Sequence, residues 1–117
     1  MRYIFLLYHN ETALAQMTEA EMGESLAKNQ AVCEQASAKG ALAGVGALMP
    51  TAMATTVRLR GGELLATDGP FAETKEQLGG YYILDCADLD EAMEWARTMP
   101  ACAGGSIEIR PMIELPG

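Results

Sequence analysis

Acidic, basic and amide side chains are concentrated in one short stretch of the chain, residues 68–84. The stretch opens on an Asp-Gly-Pro-Phe turn and contains a single lysine, Lys75. A core does not require so many polar groups, because burying each of them costs free energy. A carboxylate such as Asp68 can act as a general base, and a lysine ammonium group can stabilise a negative charge. The stretch therefore indicates a site that binds a small anionic molecule or performs proton transfer on it.

The individual residues of this stretch allow more than one interpretation. Asp68 either caps the Gly-Pro turn through its carboxylate or serves as a base or ligand anchor, and the two roles can coexist. Gly69 and Pro70 set the backbone of the turn, and Phe71 either packs the loop down or stacks on a ligand. We take Asp68 and Lys75 as candidate catalytic residues, and Gly69, Pro70 and Phe71 as candidate ligand-binding residues.

A second pair of charged residues lies near the end of the chain. Glu108 and Arg110 alternate with Ile107 and Ile109, so they share one face of a strand. If that face borders a cleft, Arg110 is suited to bidentate binding of a carboxylate or phosphate; if it faces water, the pair is ordinary surface. Both are candidate ligand-binding residues. His9, the only histidine, is interpreted either as a polar residue at a strand end or as a catalytic group.

The composition excludes several classes of function. The net charge is −8, from 8 Lys and Arg against 16 Asp and Glu, so we expect neither nucleic-acid binding nor docking on an anionic membrane. Three widely spaced cysteines and one histidine do not form a zinc-binding pattern, and we expect no metal and no cofactor. Cys33, Cys86 and Cys102 are expected to be reduced thiols in a cytoplasmic protein, each used as a small core residue.

The hydrophobic pattern predicts an alternation of strands and two helices. Thr18 with Glu21, and Asp88 with Glu91, form helix-capping patterns, and Gly61-Gly62 is typical of a two-residue hairpin turn. Strands are predicted at 2–8, 41–48, 55–60, 63–67, 81–86 and 106–112, and helices at 19–39 and from 88 to about 99.

Finer expectations follow from the same pattern. The apolar stripes of the two helices should include Met22 and Leu26 in the first and Leu89 and Met93 in the second, and Trp95 is expected to serve packing. The glycines within 41–48 should allow a close approach or a bulge. Residues 101–105 are expected to form a loop, and residues 73–77 are interpreted either as a solvated helical turn or as part of the site.

This order predicts a single domain, residues 1–117, of the α+β class. The expected fold is a ferredoxin-like sandwich of the dimeric α+β barrel type, in which two helices cover one face of a mainly antiparallel sheet. The hairpin at 55–67 is an addition to that pattern. The other face of the sheet would leave a large apolar surface exposed, which soluble monomers rarely do. We therefore expect a homodimer.

The chain also resembles the DGPF-type members of the YCII-related domain family over almost its whole length. The resemblance is carried by residues 2–8, 54–58, 67–82, 88–92 and 107–111. It implies a dimeric ferredoxin-like fold in a bacterial cytoplasmic protein and a functional link to a sigma factor. For relatives a His/Asp pair has been suggested as an active site; Asp68 matches the aspartate, but His9 does not lie in the first helix, where the histidine is expected.

Three hypotheses for function remain open at this point. The first is a small-molecule enzyme that works without a cofactor in a cleft around the Asp-Gly-Pro-Phe loop, with Asp68 as proton acceptor and Lys75 or Arg110 stabilising an anion. The second is a metabolite-binding or regulatory module without turnover. The third is a protein-interaction partner, for example of a sigma factor. The ligand in the first two is expected to be a small anion.

Overall fold

The computed structural model describes residues 1–115, and its main element is a four-stranded antiparallel sheet in the order β2-β5-β1-β6. A separate hairpin, β3-β4, is inserted between β2 and β5. This is the predicted α+β, ferredoxin-like arrangement. The elements are β1 Arg2–His9, α1 Glu11–Ala15, α2 Glu19–Ala38, β2 Leu42–Ala47, a 3-10 turn Thr51–Met53, β3 Thr55–Arg60, β4 Glu63–Asp68, β5 Gln77–Asp85, α3 Leu89–Arg97, α4 Pro100–Gly104 and β6 Ser106–Pro111.

The core lies between the helices and one face of this sheet. Alternate residues of β1 and β5 point towards the helices, because side chains along a strand alternate between faces. The small side chains Ala36, Ala92 and Ala96 let the helices approach the sheet closely. The buried side chains are Tyr3, Phe5, Val32, Ala36, Tyr82, Leu84, Cys86, Ala92, Trp95, Ala96 and Met99.

Both predicted capping patterns are confirmed. The Thr18 hydroxyl accepts from the Glu21 amide, and the Glu21 carboxylate accepts from the Thr18 amide, so the N-terminus of α2 is closed reciprocally. The Asp88 carboxylate accepts from the Glu91 amide at the start of α3. Gly40 follows α2 with a φ of +70°, a left-handed conformation that glycine adopts without steric cost.

The apolar stripes predicted for the helices are only partly right. Met22 and Leu26 are exposed, because the first turns of α2 lie outside the packed region and only its second half is buried. In α3, Leu89 and Met93 are likewise exposed, whereas Trp95 lies in the core. Trp95 was correctly expected to serve packing.

Two short helices were missed. The segment after Pro100 was expected to be a loop, but Pro100 begins α4, at the first helical position where a missing N–H costs nothing. The helix α1 is capped by the Asn10 side chain, which accepts from the Ala13 amide. Each is a single turn, too short to produce a helical period in the sequence. No helix of residues 1–115 has the length and hydropathy needed to span a membrane.

The sheet face away from the helices, which we call the open face, is formed by half-buried apolar residues of β1 and β5 over glycines of β2. A β-carbon at Gly46 would lie 2.6 Å from Cε1 of Tyr81, and one at Gly44 would lie 3.3 Å from Cδ1 of Ile83. The glycine-allowed close approach predicted for β2 is thus confirmed. The apolar residues of the open face are Ile4, Leu6, Tyr8, Tyr81 and Ile83.

Candidate functional site

The Asp-Gly-Pro-Phe turn lies at the root of the hairpin β3-β4. Asp68 is the last residue of β4 and pairs with Thr55. Gly69 has a φ of +100°, its amide donates to the Ala54 carbonyl at 2.7 Å, and its carbonyl accepts from the Thr56 hydroxyl at 2.8 Å. Gly69 therefore acts as a backbone residue that closes the root, as the sequence indicated.

The side chains of this turn are exposed. Within residues 1–115 the Asp68 carboxylate accepts no hydrogen bond and forms no ion pair, so the turn is held by Gly69 and Thr56 instead. Phe71 is 81% exposed, so the expectation that it packs the loop down is wrong for the single chain. Pro70 is also exposed. Asp68, Pro70 and Phe71 are therefore all accessible to a ligand or to another subunit.

The second half of the loop is fastened to the end of β1. The Asn10 side chain donates to the Lys75 carbonyl at 3.3 Å, and the Gln77 side chain accepts from the Glu11 amide at 2.9 Å. The helical turn considered for 73–77 does not form, and β5 begins at Gln77, four residues earlier than predicted. The Lys75 side chain is exposed and, in the described part of the chain, takes part in no salt bridge.

A long-range hydrogen bond joins this loop to β6. The Ser106 hydroxyl donates to the Glu76 carboxylate at 2.7 Å. Ser106, Glu108 and Arg110 lie on the open-face side of β6, opposite Tyr8, Leu6 and Ile4 of β1. The structure thus brings the loop end at Lys75 and Glu76 to the strand that carries Glu108 and Arg110, while Asp68 and Phe71 remain at the hairpin root.

Glu108 and Arg110 form an exposed ion pair. Nε of Arg110 lies 3.2 Å from Oε2 of Glu108, and both side chains are at least half exposed. The prediction that Glu108 and Arg110 lie on the same face of a strand is confirmed. An exposed pair of this kind contributes little to stability, about 0–1 kcal/mol, so the remaining guanidinium donors of Arg110 can bind an anion without disrupting the fold.

Sequence reasoning missed a polar cluster around Glu11. Its carboxylate accepts from the Thr51 amide at 3.0 Å and from the Thr51 hydroxyl at 2.6 Å. These hydrogen bonds hold the pKa of Glu11 below its usual value. The imidazole of His9 lies directly over Gly79. The cap formed by Asn10 was the available signal for this turn, since asparagine commonly precedes a helix.

Polar groups on the helix side form a separate cluster. The buried Tyr82 hydroxyl donates to the Asn29 side chain at 2.8 Å, and burial, followed by the proximity of Cys33, raises the pKa of Tyr82. Burial also raises the pKa of Cys86. Cys33 is half-buried and Cys86 is buried, but Cys102 is exposed on α4; its expected core position is wrong.

A surface groove between α2 and α3 lies away from the open face. It is lined by Lys39, whose ammonium group lies 5.3 Å from the Trp95 ring centre, and by acidic residues that include Glu91 and Glu94. None of the candidate catalytic or ligand-binding residues lines it. Within residues 1–115, the candidate residues lie instead on an exposed loop and on the open-face side of β6.

Comparison with known proteins identifies the sequences to which this chain is similar. The family model described as the YCII-related domain matches residues 1–116. An uncharacterized protein of Rhizobium meliloti (strain 1021) is 40% identical over 114 residues, which covers 96% of this chain and 92% of that protein. The match spans the loop, β6 and both long helices.

Proposed function

This chain belongs to the YCII-related domain family, and on that premise we propose that it is a homodimer that binds a small organic anion beside the open face of its sheet. We place it in the DGPF-type subgroup of that family. In this proposal, Asp68 exchanges a proton with the bound molecule, and Lys75 and Arg110 neutralise the molecule's negative charge. The reaction class is proton transfer or isomerisation carried out by side chains of the chain itself.

One observation carries this proposal: the single chain exposes far more surface than a folded monomer of its size. Its accessible surface is 8270 Å², whereas a compact protein of 12.5 kDa exposes about 6,200 Å². The excess is about 2,000 Å² per chain, or about 4,000 Å² for two chains, which lies within the range of total area that obligate homodimer interfaces remove from water. The exposed large hydrophobic residues include Val57, Leu59, Leu64 and Leu65 of the hairpin.

The charges at the border of the open face support an anionic ligand. The chain carries a net charge of −8, yet Lys75 and Arg110 place two cations near the end of the loop and along β6. A planar guanidinium binds carboxylate or phosphate through two parallel hydrogen bonds. Covering the open face by a second subunit would lower the local dielectric and strengthen such contacts.

A binding module without turnover is the second candidate, and it is favoured by the surroundings of Asp68. No side chain of residues 1–115 orients this carboxylate by a hydrogen bond, whereas an efficient general base is held within hydrogen-bond reach of its proton. A module of this kind would report the metabolite to a regulator, and a sigma factor fits the functional link implied by the subgroup. We also propose a cytoplasmic location in a bacterium, which the three free cysteines support.

The test is a thermal-shift screen of small carboxylates, phosphates and other metabolites against the wild-type protein, with its mass in solution measured alongside. A ligand at a hundredfold excess over its Kd adds about 2.7 kcal/mol to the free energy of unfolding. At that ligand concentration Asp68→Asn, Lys75→Gln and Arg110→Gln should each reduce the shift, by about half for a tenfold weaker affinity. Matched control variants are Glu63→Gln on the same hairpin and Lys28→Gln on α2, which should keep it.

The same screen separates the two candidates. A compound that shifts the melting temperature is incubated with the protein and analysed by mass spectrometry and NMR. Conversion that Asp68→Asn abolishes supports the enzyme, and unchanged recovery of a tightly bound compound supports the binding module. A protein that is monomeric and binds no compound through Lys75 or Arg110 would contradict both.

A further inference from the structure

The hairpin β3-β4, residues 55–68, projects from the body of the protein, and we call it the arm. Every residue of β4 and five of the six in β3 are exposed. The radius of gyration is 16.2 Å, compared with about 13 Å for a compact chain of this length. An isolated two-stranded hairpin is marginally stable in water, so an arm of this shape requires a surface to pack on.

Hydrogen bonds hold the root of the arm, where β3 begins and β4 ends, whereas the residues at its tip are exposed. The Gly69 amide bonds to the Ala54 carbonyl, the Thr56 hydroxyl bonds to the Gly69 carbonyl, and Glu11 holds Thr51 just before the arm. These bonds set the direction in which the arm leaves the sheet. The arm is therefore positioned in advance and does not fold back onto the open face of its own chain.

One face of the arm is apolar and the other is mixed. The strand register pairs Val57 with Ala66 and Leu59 with Leu64 on one face, which we call the docking face. Val57, Leu59 and Leu64 are 58%, 65% and 71% exposed. The opposite face carries the pairs Thr56–Thr67, Arg58–Leu65 and Arg60–Glu63.

Within residues 1–115, two apolar surfaces are thus not covered by another element: the docking face of the arm and the open face of the sheet. We infer that the arm of each copy lies with its docking face on the open face of a second copy. A two-fold dimer makes such a contact twice, so one interface covers all four surfaces. A different protein would have to match both surfaces at once, whereas a second copy supplies each surface to the other.

The exchange of arms has a consequence for the site. Asp68 pairs with Thr55 at the root of the arm, and the strand alternation places both on the docking-face side. The carboxylate of one copy is therefore delivered to the open face of the other, the face on which Glu108 and Arg110 lie. Resting on the proposed function, this inference makes the ligand site composite: Asp68 comes from one subunit, and Lys75 and Arg110 come from its partner.

Disulfide mapping in mixed dimers tests the inference directly. All chains carry Cys102→Ser, which removes the exposed native thiol. One differently tagged chain carries Leu64→Cys on the docking face, and the other carries Leu6→Cys, Tyr81→Cys or Ile83→Cys in turn. After co-expression and mild oxidation, at least one pair should give a disulfide-linked mixed dimer. The matched control, Leu65→Cys on the opposite face of the arm, should give none with any of the three.

A second measurement does not depend on cross-link geometry. Leu64→Glu introduces a charge on the docking face, and Leu65→Glu introduces the same charge on the opposite face. Because both positions are exposed, the fold of the single chain should persist in both variants. Sedimentation should show at least a tenfold weaker dimer for Leu64→Glu and an unchanged dimer for Leu65→Glu. Equal effects of the two variants, or cross-links from Leu65→Cys as strong as those from Leu64→Cys, would overturn the exchange.

Failure of this inference can be told apart from failure of the proposed function. A wild-type dimer that binds an anion but forms no bond between arm and open face contradicts only the exchange. A dimer with exchanged arms that binds no anion contradicts only the ligand role. The composite site is tested with mixed dimers of an Asp68→Asn chain and an Arg110→Gln chain. One of the two sites in such a dimer combines the intact Asp68 of one chain with the intact Arg110 of the other, so half of the ligand binding should return. No recovery of ligand binding would overturn the composite arrangement.

Discussion

The imidazole of His9 lies so close over the Cα of Gly79 that a β-carbon at position 79 would overlap the ring. Gly79 is the unpaired residue of a bulge, since Leu7 pairs with Gly80 while Tyr8 pairs with Leu78. The glycine therefore provides the space for His9 between β1 and β5, next to the loop that carries Lys75. The only histidine of the chain is thus held against the candidate site, and no local sequence pattern connects His9 with the loop at Lys75.

Gly79→Ala should destabilise the protein by about 1–3 kcal/mol, the usual cost of overpacking. Gly79 does not have a positive φ, so the penalty comes from the clash with His9 and not from backbone strain. His9→Ala in the same chain should recover most of the loss, which a double-mutant cycle measured by urea unfolding would show. A penalty that persists without the histidine would contradict this assignment.

Two other glycines should respond to alanine with opposite signs. Gly23 lies inside α2 and Gly40 follows it, and a β-carbon at either position would meet open space. Gly23→Ala should stabilise the protein by about 0.5–1 kcal/mol because glycine is a poor helix residue. Gly40→Ala should destabilise it by about 1–2 kcal/mol, because its φ of +70° is unfavourable for alanine. Thermal and urea unfolding of the two variants check both signs, and an equal response would contradict the argument.

The hydrogen bonds between Thr51 and Glu11 should make the effect of a Thr51 substitution depend on pH. They lower the pKa of Glu11 in the folded chain, so the stabilisation is complete above the unfolded pKa, about 4.3. It is lost as the pH falls through the folded value. Thr51→Val should therefore lower the melting temperature at neutral pH and have a smaller effect at about pH 3, where unfolded Glu11 is protonated.

Thr67→Val, at an exposed threonine of the arm, serves as the matched control for that experiment. Its effect on the melting temperature should be small and should not change between the two pH values. If Thr51→Val lowered the melting temperature equally at both values, the bond to the Glu11 carboxylate would not be the source of the effect. Thr51→Val should also make the orientation of the arm less fixed, since Thr51 lies just before it.

The sequence predicted the regular elements of this fold because their signals are local. The alternation in β3, the glycine pair Gly61-Gly62 and the cap at Asp88 each fix a structure within a few residues, and the structure has all three. The position of Met22 could not be predicted in the same way, because its exposure depends on where the sheet ends beneath α2. The hairpin was expected, but its projection from the body depends on the absence of a neighbouring element.

In the candidate site, too, the features with a local sequence signal were predicted and those that depend on distant residues were not. Glu108 and Arg110 were correctly placed on one strand face, since only the two-residue period was needed. The bond from Ser106 to Glu76 joins residues thirty positions apart, and the packing of His9 on Gly79 depends on a bulge; neither has a local signal. The roles of Asp68, Lys75 and Phe71 depend on what covers an exposed loop, so they remain predictions.

The two members of the Glu108–Arg110 pair should act on anion binding with opposite signs. Arg110→Gln removes the guanidinium and should weaken the binding of an anionic ligand by about tenfold, which corresponds to about 1.4 kcal/mol. Glu108→Gln removes the carboxylate that lies 3.2 Å from that guanidinium, so it should strengthen binding. Neither change should alter the free energy of unfolding by more than about 1 kcal/mol, because the pair is exposed.

The pair Glu94–Arg97 on α3 is the matched control for this prediction. It is also exposed, with 3.3 Å between Nη2 of Arg97 and Oε1 of Glu94, but it belongs to the helix side. Arg97→Gln and Glu94→Gln change the net charge by the same amounts and should leave the affinity unchanged at moderate salt, where distant charges are screened. Calorimetric titration of all four variants with the anion found in the screen would measure these affinities. Equal changes from the two pairs would mean that net charge, and not contact with Arg110, determines binding.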